Sequence, residues 1–338
     1  MKKRSFVQAL FFFINTLFAA TLILAHYVLP FISPKTAPAF AVISLFVPVL
    51  IFINAAFAVY WILKLEKKFL LSTLVLLGGW SFVSPLYKIT EKKILLNDDL
   101  KIMSYNVRLF NHYSWADDPE IPKKISALIH EKAPDIIAFQ EFYKTPKTTF
   151  SYPYSYSKTS ALSDQFGLAI YSKYQIVNTG SLNFKNSGNN IIFADIRIKK
   201  DTIRVYNIHL ESLKINPNTA HFGQENSEKL LKRLEKGFQK QALQAEQFLA
   251  HEKQWKGKKI ICGDFNNTAY SWVYQQIAAD KKDAFVVAGK GFGKSFHYLF
   301  PLRIDFILTD PSIQIHRFET LSEHYSDHYP ILARFALN

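Results

Sequence analysis

The sequence predicts an α+β domain of packed β-sheets and helices that follows a membrane anchor of three helices. Three observations favour this class. Long apolar segments fill the first 97 residues of the chain. After about Asp98 the pattern changes to short apolar runs of strand length, several of them β-branched, with helical patterns between them. Carboxylate, carboxamide and imidazole side chains cluster directly after those runs, as expected where strands end in a layered domain.

The apolar segments run at about residues 6–29, 40–63 and 69–87, and we assign residues 1–97 to the membrane anchor. A helix needs about 20 apolar residues to cross the hydrocarbon core, so the first two segments are long enough and the third is at the lower limit. The first segment alone also fits a signal peptide, because basic residues precede an apolar core. A buried hairpin of a soluble domain is a further alternative. The length of the first run and the two runs after it favour three transmembrane helices.

The positions of Lys and Arg predict how a multi-pass anchor lies in the cytoplasmic membrane. Basic residues cluster at 2–4 and at 64–68, whereas the loop between the first and second segments holds only Lys35. The positive-inside rule therefore places the N-terminus and the second loop in the cytoplasm and, after three crossings, the C-terminal domain in the periplasm. The lysines within 88–93 favour the opposite side. If the third segment does not cross, the domain faces the cytoplasm.

The charge of the chain is positive but unevenly distributed. The formal net charge is +14, and residues 1–98 hold ten Lys and Arg against three Asp and Glu. Those charges lie at the ends of apolar runs and indicate membrane topology rather than nucleic-acid binding. The excess on the remaining residues suits an anionic substrate. Cys262 is the single cysteine, so an intramolecular disulfide is excluded, and its apolar surroundings indicate a small core residue.

Residues 98–338 form the second predicted domain. A helix is predicted over 122–132, ended by Pro134, and a longer helix from Glu225 to about Glu252, where apolar residues recur at helical spacing. The lysines of the longer helix fit a solvated face better than a nucleic-acid contact. The apolar runs predict strands at residues 100–107, 136–140, 167–171, 191–198, 203–210, 259–262, 303–308 and 331–336.

Two of the motifs at strand ends indicate metal and phosphate chemistry. Glu141 is a hard-oxygen ligand suited to Mg²⁺ or Mn²⁺, and Asn106 offers a neutral oxygen that completes the shell or orients Glu141. Gly263 allows a tight exit from its strand. Asp264 and Asn266, two apart in an extended chain, would point to the same side. One would then orient or deprotonate a water while the other holds a phosphate oxygen; an Asx-rich turn is the alternative.

Two histidines and two aspartates complete the candidate site. His209 ends a predicted strand, and His328 follows Asp327 near the end of the chain. Asp305 lies in the last strand-like run before His328, so a carboxylate–imidazole pairing of the kind used in acid–base chemistry is available. With the metal ligands, these residues describe a pocket that holds a divalent cation and hydrolyses a phosphate ester.

The ordered motif series resembles the endonuclease/exonuclease/phosphatase superfamily, the deoxyribonuclease I-like fold, over about residues 99–338. The resemblance implies a membrane-anchored, bacterial-type member with a four-layer α/β sandwich, in which two mixed sheets pack face to face between helices. It also implies that Glu141 and Asn106 hold Mg²⁺ (or Mn²⁺), with Asp327 as a further candidate ligand. The matching segments are 104–107, 140–141, 167–173, 207–210, 263–266, 303–307 and 326–328.

The same resemblance implies roles for the other site residues. Asp264 positions or activates the attacking water, and Asn266 and His209 contact the scissile phosphate. Asp305 orients His328, which acts as the acid–base partner or stabilises the developing charge. The cation and the imidazolium would offset charge on the phosphoryl group as it forms.

The substrate class is open at this level, because the shared residues recognise phosphate rather than the leaving group. Members of the superfamily cleave nucleic acids, sphingomyelin-type phospholipids, inositol phosphates and dinucleotides. His209 stands where deoxyribonuclease I-like and sphingomyelinase-like members have histidine and abasic-site endonucleases have tyrosine, which argues against a DNA-repair enzyme. The positive charge outside the anchor favours nucleic acid over a phospholipid head group or an inositol phosphate.

Three further interpretations remain as alternatives. A catalytically silent scaffold on the same fold is disfavoured, because Glu141, Asp264, His209 and His328 are all present. The predicted partner of the N-terminal helices is the lipid bilayer, and no protein partner is predicted. The segment 212–227 is a substrate-facing loop or a disordered excursion. Four aromatic residues fit ordinary packing or, as the alternative, a base-stacking or membrane-dipping surface: Phe292, Phe296, Tyr298 and Phe300.

Overall fold

The computed structural model of the chain consists of two mixed β-sheets packed face to face, with helices against both outer faces and a group of apolar N-terminal helices in front. It describes residues 2–144, 148, 150–160, 165–215, 227–298 and 300–337. The candidate loop 212–227 therefore lies mostly outside the described residues. The two packed sheets between helices confirm the α+β class expected from the sequence.

Within the described residues, twelve strands form two six-stranded sheets, with orders β11-β12-β1-β2-β4-β3 and β5-β6-β7-β8-β10-β9. Each sheet contains one parallel pair, β1 with β2 and β7 with β8. The strands are Leu100–Asn106 (β1), Ile136–Tyr143 (β2), Tyr154–Thr159 (β3), Phe166–Ser172 (β4), Ile176–Ser181 (β5), Asn190–Ile198 (β6), Asp201–His209 (β7), Lys259–Asp264 (β8), Lys282–Asp283 (β9), Asp305–Thr309 (β10), Gln314–Thr320 (β11) and Ile331–Ala336 (β12).

The helices fall into an apolar N-terminal group and a group within the β-sheet domain. Short 3₁₀ turns at Leu29–Phe31 and Arg108–Asn111 add to them. The helices are Lys2–Tyr27 (α1), Pro38–Ala41 (α2), Ile43–Leu63 (α3), Phe69–Gly78 (α4), Trp80–Val83 (α5), Ile121–Lys132 (α6), Ser227–Glu252 (α7), Trp272–Ala278 (α8) and Ala284–Ala288 (α9). Both domain helices expected from periodicity are present, α6 and α7.

The core lies in three apolar layers that follow the two-residue alternation of the strands. Ile102 and Ile136 point from the first sheet into the space between the sheets, where they meet Val205 and Ile260 of the second. Cys262 is buried in this layer, as its surroundings in the sequence predict. The opposite strand faces pack outward, against α6 on one side and against α7 and α8 on the other. The layers thus run helix, sheet, sheet, helix.

The sheet topology brings one set of strand ends to a single edge of the sandwich. The parallel strands β1 and β2 end there, and so do β7 and β8. The antiparallel strand β10 begins at the same edge, because Asp305 pairs with Asp264, the last residue of β8. Strand β12 begins beside β1 in the same way, with Ile331 opposite Ser104. Residues just outside these ends therefore converge, as the sequence motifs require.

In the N-terminal group, two helical stretches among the described residues are long and apolar enough to cross a membrane: 6–31 and 38–63, with mean hydropathy 2.0 and 2.5. The expected third span at 69–87 is not one continuous helix, because α4 and α5 are separated at Gly79. Adjacent glycines at 78 and 79 lower helix propensity at this point. The third crossing is therefore not confirmed.

A buried polar cluster nevertheless joins α4 to the two long helices. Asn15 donates from Nδ2 to Ser72 Oγ at 2.6 Å, and Ser72 donates to Asn54 Oδ1 at 3.2 Å. The indole Nε1 of Trp61 donates to Asn15 Oδ1 at 3.0 Å. All four side chains are fully buried. Because polar groups in an apolar bundle need internal partners, this cluster holds the three helices together.

Candidate active site

Six polar side chains meet at the converging strand ends. Asn106 ends β1, Glu141 lies near the end of β2, His209 ends β7, Asp264 ends β8, Asp305 begins β10 and His328 precedes β12. The cause is the sheet register, in which His209 lies opposite Asp264 and Asp264 opposite Asp305. The two sheets thus contribute to one pocket.

Asp264 lies at the centre of this pocket and is almost completely buried. Its Oδ2 accepts a hydrogen bond from Asn106 Nδ2 at 3.1 Å, and its Oδ1 accepts from the backbone N–H of Asn266 at 2.7 Å. Nε2 of His209 and Nε2 of His328 each lie 3.6 Å from Asp264 Oδ2. One carboxylate is therefore fixed by two donors and flanked by two imidazoles.

His328 is held in its protonated form by two carboxylates. Its Nδ1 hydrogen-bonds Asp305 Oδ2 at 2.9 Å, and its Nε2 faces Asp264. Burial opposes charge on the ring, but the charges of Asp305 and Asp264 outweigh it and raise the pKa of His328 to about 10. The pairing of Asp305 with His328 that the sequence predicted is present in the structure.

His209 and Asp264 are shifted mainly by burial. Loss of solvent lowers the pKa of His209 to about 3, and the nearby charge of His328 acts in the same direction. Burial raises the pKa of Asp264 to about 7, with His328 opposing the shift and Asp305 adding to it. At neutral pH the pocket thus holds a neutral imidazole, an imidazolium and a carboxyl group near its midpoint.

Glu141 is directed into the pocket by an irregularity in β2. The strand register shifts between Phe139 and Phe142, and Glu141 adopts a left-handed φ of 48°. Such a bulge re-aims a side chain at a cost of about 1–3 kcal/mol, which points to a functional constraint. Asn106 Nδ2 lies 3.4 Å from Glu141 Oε1.

The donor set around Glu141 fits a hard divalent cation. Burial, and then the charge of Asp327, raise the pKa of Glu141, even though 35% of its side chain is open to solvent. Two carboxylates that repel each other beside an amide are a natural place for Mg²⁺ or Mn²⁺, which take oxygen ligands and keep several waters. Glu141 and Asp327 thus fit the metal that the sequence implied. Asn106 turns its Nδ2 towards Glu141 and its Oδ1 towards the N–H of Arg108, so in this arrangement it orients Glu141.

A second group of donor atoms lies deeper, where Asp264, Asp305 and His328 approach within 4.8 Å of one another. Asp305 is already hydrogen-bonded to Nδ1 of His328 at 2.9 Å, and all three side chains are almost completely buried. The more open carboxylates on the Glu141 side are the better metal site.

Asn266 does not follow the extended geometry expected from the sequence. Strand β8 ends at Asp264, and Asn266 has a φ of 50°, so the two side chains do not point the same way from a strand. Asn266 Nδ2 instead donates to the backbone carbonyl of Leu210 at 2.9 Å. The Asx-turn alternative describes this local structure, while the loop still places Asn266 next to Asp264.

Gly263 has the role expected at a tight strand exit, with a φ of 140°. A Cβ at this position would lie 1.9 Å from the backbone oxygen of Ile208 on the neighbouring strand. The absence of a side chain therefore lets β7 and β8 approach closely where His209 and Asp264 end them.

Arg108 is a site residue that the sequence analysis missed. Its Nη1 lies 3.4 Å from Asp327 Oδ2, and its guanidinium lies 4.6 Å from the Trp115 ring centroid. The backbone N–H of Arg108 donates to Asn106 Oδ1 at 3.1 Å. This places a cation at the pocket mouth, where it can contact a phosphate oxygen. Its position two residues after Asn106 was the only sequence signal.

A buried polar network behind the pocket was also missed as a functional element. Gln140 Nε2 donates to Asn207 Oδ1 at 2.7 Å and to Ser104 Oγ at 3.1 Å. Asn207 Nδ2 donates to the backbone oxygen of Phe139 at 2.8 Å. Because Gln140 precedes Glu141 and belongs to the other sheet from Asn207, this network locks the two halves of the pocket together.

Comparison with protein families agrees with this geometry. The model described as Endonuclease/Exonuclease/phosphatase family matches residues 103–328, which is more than half of the chain. The chain belongs to the endonuclease/exonuclease/phosphatase family. A second model, described as Domain of unknown function (DUF8431), matches residues 8–86. No curated protein sequence matches the chain.

Solved structures of the same fold include three that cover at least 71% of this chain. An endonuclease/exonuclease/phosphatase from Bacteroides vulgatus is 19% identical, with a TM-score of 0.55 over 72% of this chain and 100% of that one. The human Nocturnin catalytic domain with bound sulfate anion is 15% identical, with a TM-score of 0.53 over 74% and 96%. D. rerio TDP2 complexed with single strand DNA product is 17% identical, with a TM-score of 0.53 over 71% and 100%. At these identities the likeness concerns the fold.

Proposed function

We propose that the protein is a membrane-anchored, divalent-metal-dependent phosphodiesterase. The observation that carries this proposal is Asp264, a buried carboxylate between a neutral His209 and a protonated His328. Groups whose environments drive their pKa values apart are the mark of an acid–base site. Family membership supports hydrolysis of a phosphate ester, and TDP2, a fold neighbour, is complexed with a single strand DNA product.

The residues divide the reaction between them. Ionised Asp264 accepts a proton from the attacking water, while neutral His209 donates a hydrogen bond to a phosphate oxygen. With a pKa of about 10, His328 is better suited to stabilise developing negative charge than to release its proton. Asp305 holds the imidazolium in place. Asn266 is the further candidate phosphate contact, through the second hydrogen of its Nδ2 group, whose first hydrogen bonds the Leu210 carbonyl.

Glu141 and Asp327 would hold Mg²⁺ or Mn²⁺ beside this group, with Asn106 as a further ligand once its side-chain oxygen turns towards the cation. When bound, the cation would supply Lewis-acid neutralisation of phosphate charge. Arg108 pairs with Asp327 at 3.4 Å and would add a second positive group on the same side.

We propose further that residues 1–97 are a multi-pass anchor of three helices in the cytoplasmic membrane and that residues 98–338 are a periplasmic catalytic domain. The buried contacts of Ser72 with Asn15 and Asn54 support a third helix in the bundle. A protease added to intact spheroplasts tests the orientation. Digestion of the domain only after lysis would contradict it.

Hydrolysis by the full chain in detergent tests the activity. Substrates are bis-p-nitrophenyl phosphate, plasmid DNA, RNA, sphingomyelin and inositol phosphates, each with Mg²⁺ and with chelator. We expect metal-dependent hydrolysis that Asp264→Ala abolishes and that the surface variant Asp280→Ala retains. If none of these substrates is hydrolysed, the proposal is contradicted. The net charge favours nucleic acid, which the DNA and RNA arms test.

A further inference from the structure

The anchor contacts the domain beside the catalytic strand ends. Leu213, which follows β7, packs with Val42 and Leu45 of the anchor. Thr268, in the loop after β8, donates from Oγ1 to the backbone carbonyl of Ser44 at 3.0 Å. Two of the loops that leave the catalytic edge therefore rest directly on the helical anchor.

A third loop, the one before β10, makes the same contact. Phe292 lies 5.9 Å from Phe52 and 4.7 Å from Tyr87, measured between ring centroids. Tyr270, from the loop after β8, lies 5.1 Å from Phe82 in the same way. Phe292 is thus a packing residue at the join between anchor and domain, in agreement with the simpler of its two interpretations.

Only a few residues separate this join from the catalytic histidine. Leu302 lines a small cavity together with Phe292 and anchor residues. Its backbone oxygen accepts hydrogen bonds from the N–H groups of Ser295 and Phe296 at 2.9 and 3.2 Å. The Phe296 ring lies 4.9 Å from the His328 ring. The anchor is therefore connected to the active-site residue His328 through Leu302 and Phe296.

The helix ends that contact the domain show which edge of the β-sandwich faces the bilayer. Helix α1 ends at Tyr27, α3 begins at Ile43 and α5 ends at Val83, and the contacts with the domain come from the segments next to these ends and from Phe52 in the first half of α3. The opposite edge of the sandwich carries the turn between β6 and β7 at Lys199 and Lys200. The catalytic edge therefore faces the bilayer, and that turn faces away from it.

Part of the positive charge of the domain lies on the same side. The first half of α7 packs against Val42 through Leu234 and Phe238. Residues 228–240 hold five Lys and Arg against two Glu. A basic face next to a bilayer attracts anionic head groups, so this charge does not require nucleic acid as the substrate. Its exposed lysines are Lys229, Lys232, Lys236 and Lys240.

We propose that the substrate is the phosphodiester of a lipid in the bilayer that holds the anchor, in place of the nucleic acid expected from net charge alone. The proposal rests on the proposed phosphodiesterase function and specifies its substrate. The anchor would hold the pocket over the head groups, so that a lipid reaches Asp264 by lateral diffusion. In the reaction, water oxygen bonds to phosphorus, one phosphorus–oxygen ester bond breaks, and the water proton passes through Asp264 to the leaving alcohol.

Reconstituted full-length protein tests the proposal through two arrangements of the same vesicles. In the first, protein and lipid substrate share one vesicle; in the second, protein in substrate-free vesicles is mixed with substrate vesicles. Sphingomyelin, phosphatidylethanolamine and phosphatidylglycerol are the probes, with release of the head group as the readout. Because tethering raises effective concentration, we expect the shared arrangement to be more than ~10-fold faster. Equal rates, or no lipid cleavage, would overturn the proposal.

Bis-p-nitrophenyl phosphate in the same samples separates the lipid proposal from the phosphodiesterase function. If this soluble probe is hydrolysed in an Asp264-dependent manner while lipids are not, the phosphodiesterase function stands and the lipid substrate is wrong. Faster cleavage of an oligonucleotide than of any lipid would also show that the lipid substrate is wrong. If neither lipid nor soluble probe is hydrolysed, both proposals fail. We expect Phe292→Ala to slow lipid cleavage several-fold and to leave hydrolysis of the soluble probe unchanged.

A depth measurement tests the orientation without relying on activity. Cys262 is fully buried and burial raises the pKa of its thiol to about 12, so the natural chain gives a silent background for labelling. A fluorophore is attached to His297→Cys, near the pocket, or to Lys200→Cys, at the opposite edge. Head-group quenchers should quench the first label and spare the second. The reverse pattern, or equal quenching, would overturn the proposal.

Discussion

His209 and His328 lie at the same distance from one oxygen, 3.6 Å from Asp264 Oδ2, and yet their pKa values move in opposite directions. The pKa of His209 is lowered to about 3 because the ring is buried without a close hydrogen-bonded carboxylate, whereas the pKa of His328 is raised to about 10 because Asp305 bonds its other nitrogen. The site thus obtains one neutral and one charged imidazole from a single residue type. Asp305 is the positioning residue that makes the difference.

This asymmetry predicts a bell-shaped dependence of activity on pH. Activity should fall as pH drops through about 7, where Asp264 becomes protonated, and fall again as pH rises towards about 10, where His328 loses its proton. Asp305→Asn removes the carboxylate that raises the pKa of His328. The alkaline limb should then move to lower pH by about 1–3 units. The measurement is kcat/KM against pH for both proteins.

The surface variant Asp280→Asn serves as the control for charge. Its side chain is 78% exposed, so it should leave both limbs in place. An Asp305→Asn enzyme whose alkaline limb does not move would show that His328 is not the group titrating there.

Much of the site was predictable because its residues are marked by the sequence pattern. Asp264, His209 and Asn106 each follow an apolar run. Because the ends of neighbouring strands lie at the same edge of a sheet, the polar residues at these ends are close together. The pattern does not reveal which of these residues contact one another. The Gln140–Asn207 bond joins two sheets across 67 residues of sequence, and only the sheet register reveals it.

The strands missed by the sequence analysis have one property in common, which is that they lie at the edges of the sheets. β3, β5, β9 and β11 end the two sheet orders, whereas the eight predicted runs supply the interior strands. An edge strand needs one buried face at most and is often polar, so it lacks an apolar run. Tyr154–Thr159 illustrates this, with most of its side chains exposed.

Removal of the Glu141 carboxylate should weaken metal binding specifically. Glu141→Gln keeps the shape of the side chain but loses the charge that a hard cation requires. We expect the Mg²⁺ concentration for half-maximal activity to rise by at least ~10-fold, with partial recovery at high Mg²⁺. Mn²⁺ binding, followed by magnetic resonance, gives the affinity directly. Glu228→Gln, an exposed change on α7, should change neither value, and an unchanged Glu141→Gln enzyme would remove Glu141 from the metal site.

Substitution of Gly263 should damage both the fold and the activity. Gly263→Ala would bring a Cβ to 1.9 Å from the Ile208 backbone oxygen, at a φ of 140° that L-residues avoid. The strain should cost about 2 kcal/mol or more and displace Asp264, the next residue. Gly78→Ala is the matched control, since a Cβ there meets nothing within 4 Å. Thermal unfolding in detergent should separate them, and equal melting temperatures would refute the close approach of β7 and β8.

The buried polar cluster among the N-terminal helices provides a test of whether hydrogen bonds hold α4 against the two long helices. Ser72→Ala removes the hydroxyl that accepts from Asn15 at 2.6 Å and donates to Asn54 at 3.2 Å. Hydrogen bonds between apolar helices contribute about 0.6–2 kcal/mol each, so the variant should unfold at a lower temperature in detergent and expose α4 to proteolysis. Thr21→Ala is the control, because that hydroxyl donates to the backbone carbonyl of Leu17 in its own helix, at 2.9 Å. If Ser72→Ala and Thr21→Ala behave alike, α4 is held by apolar contact alone, and the polar cluster does not support a third helix in the membrane.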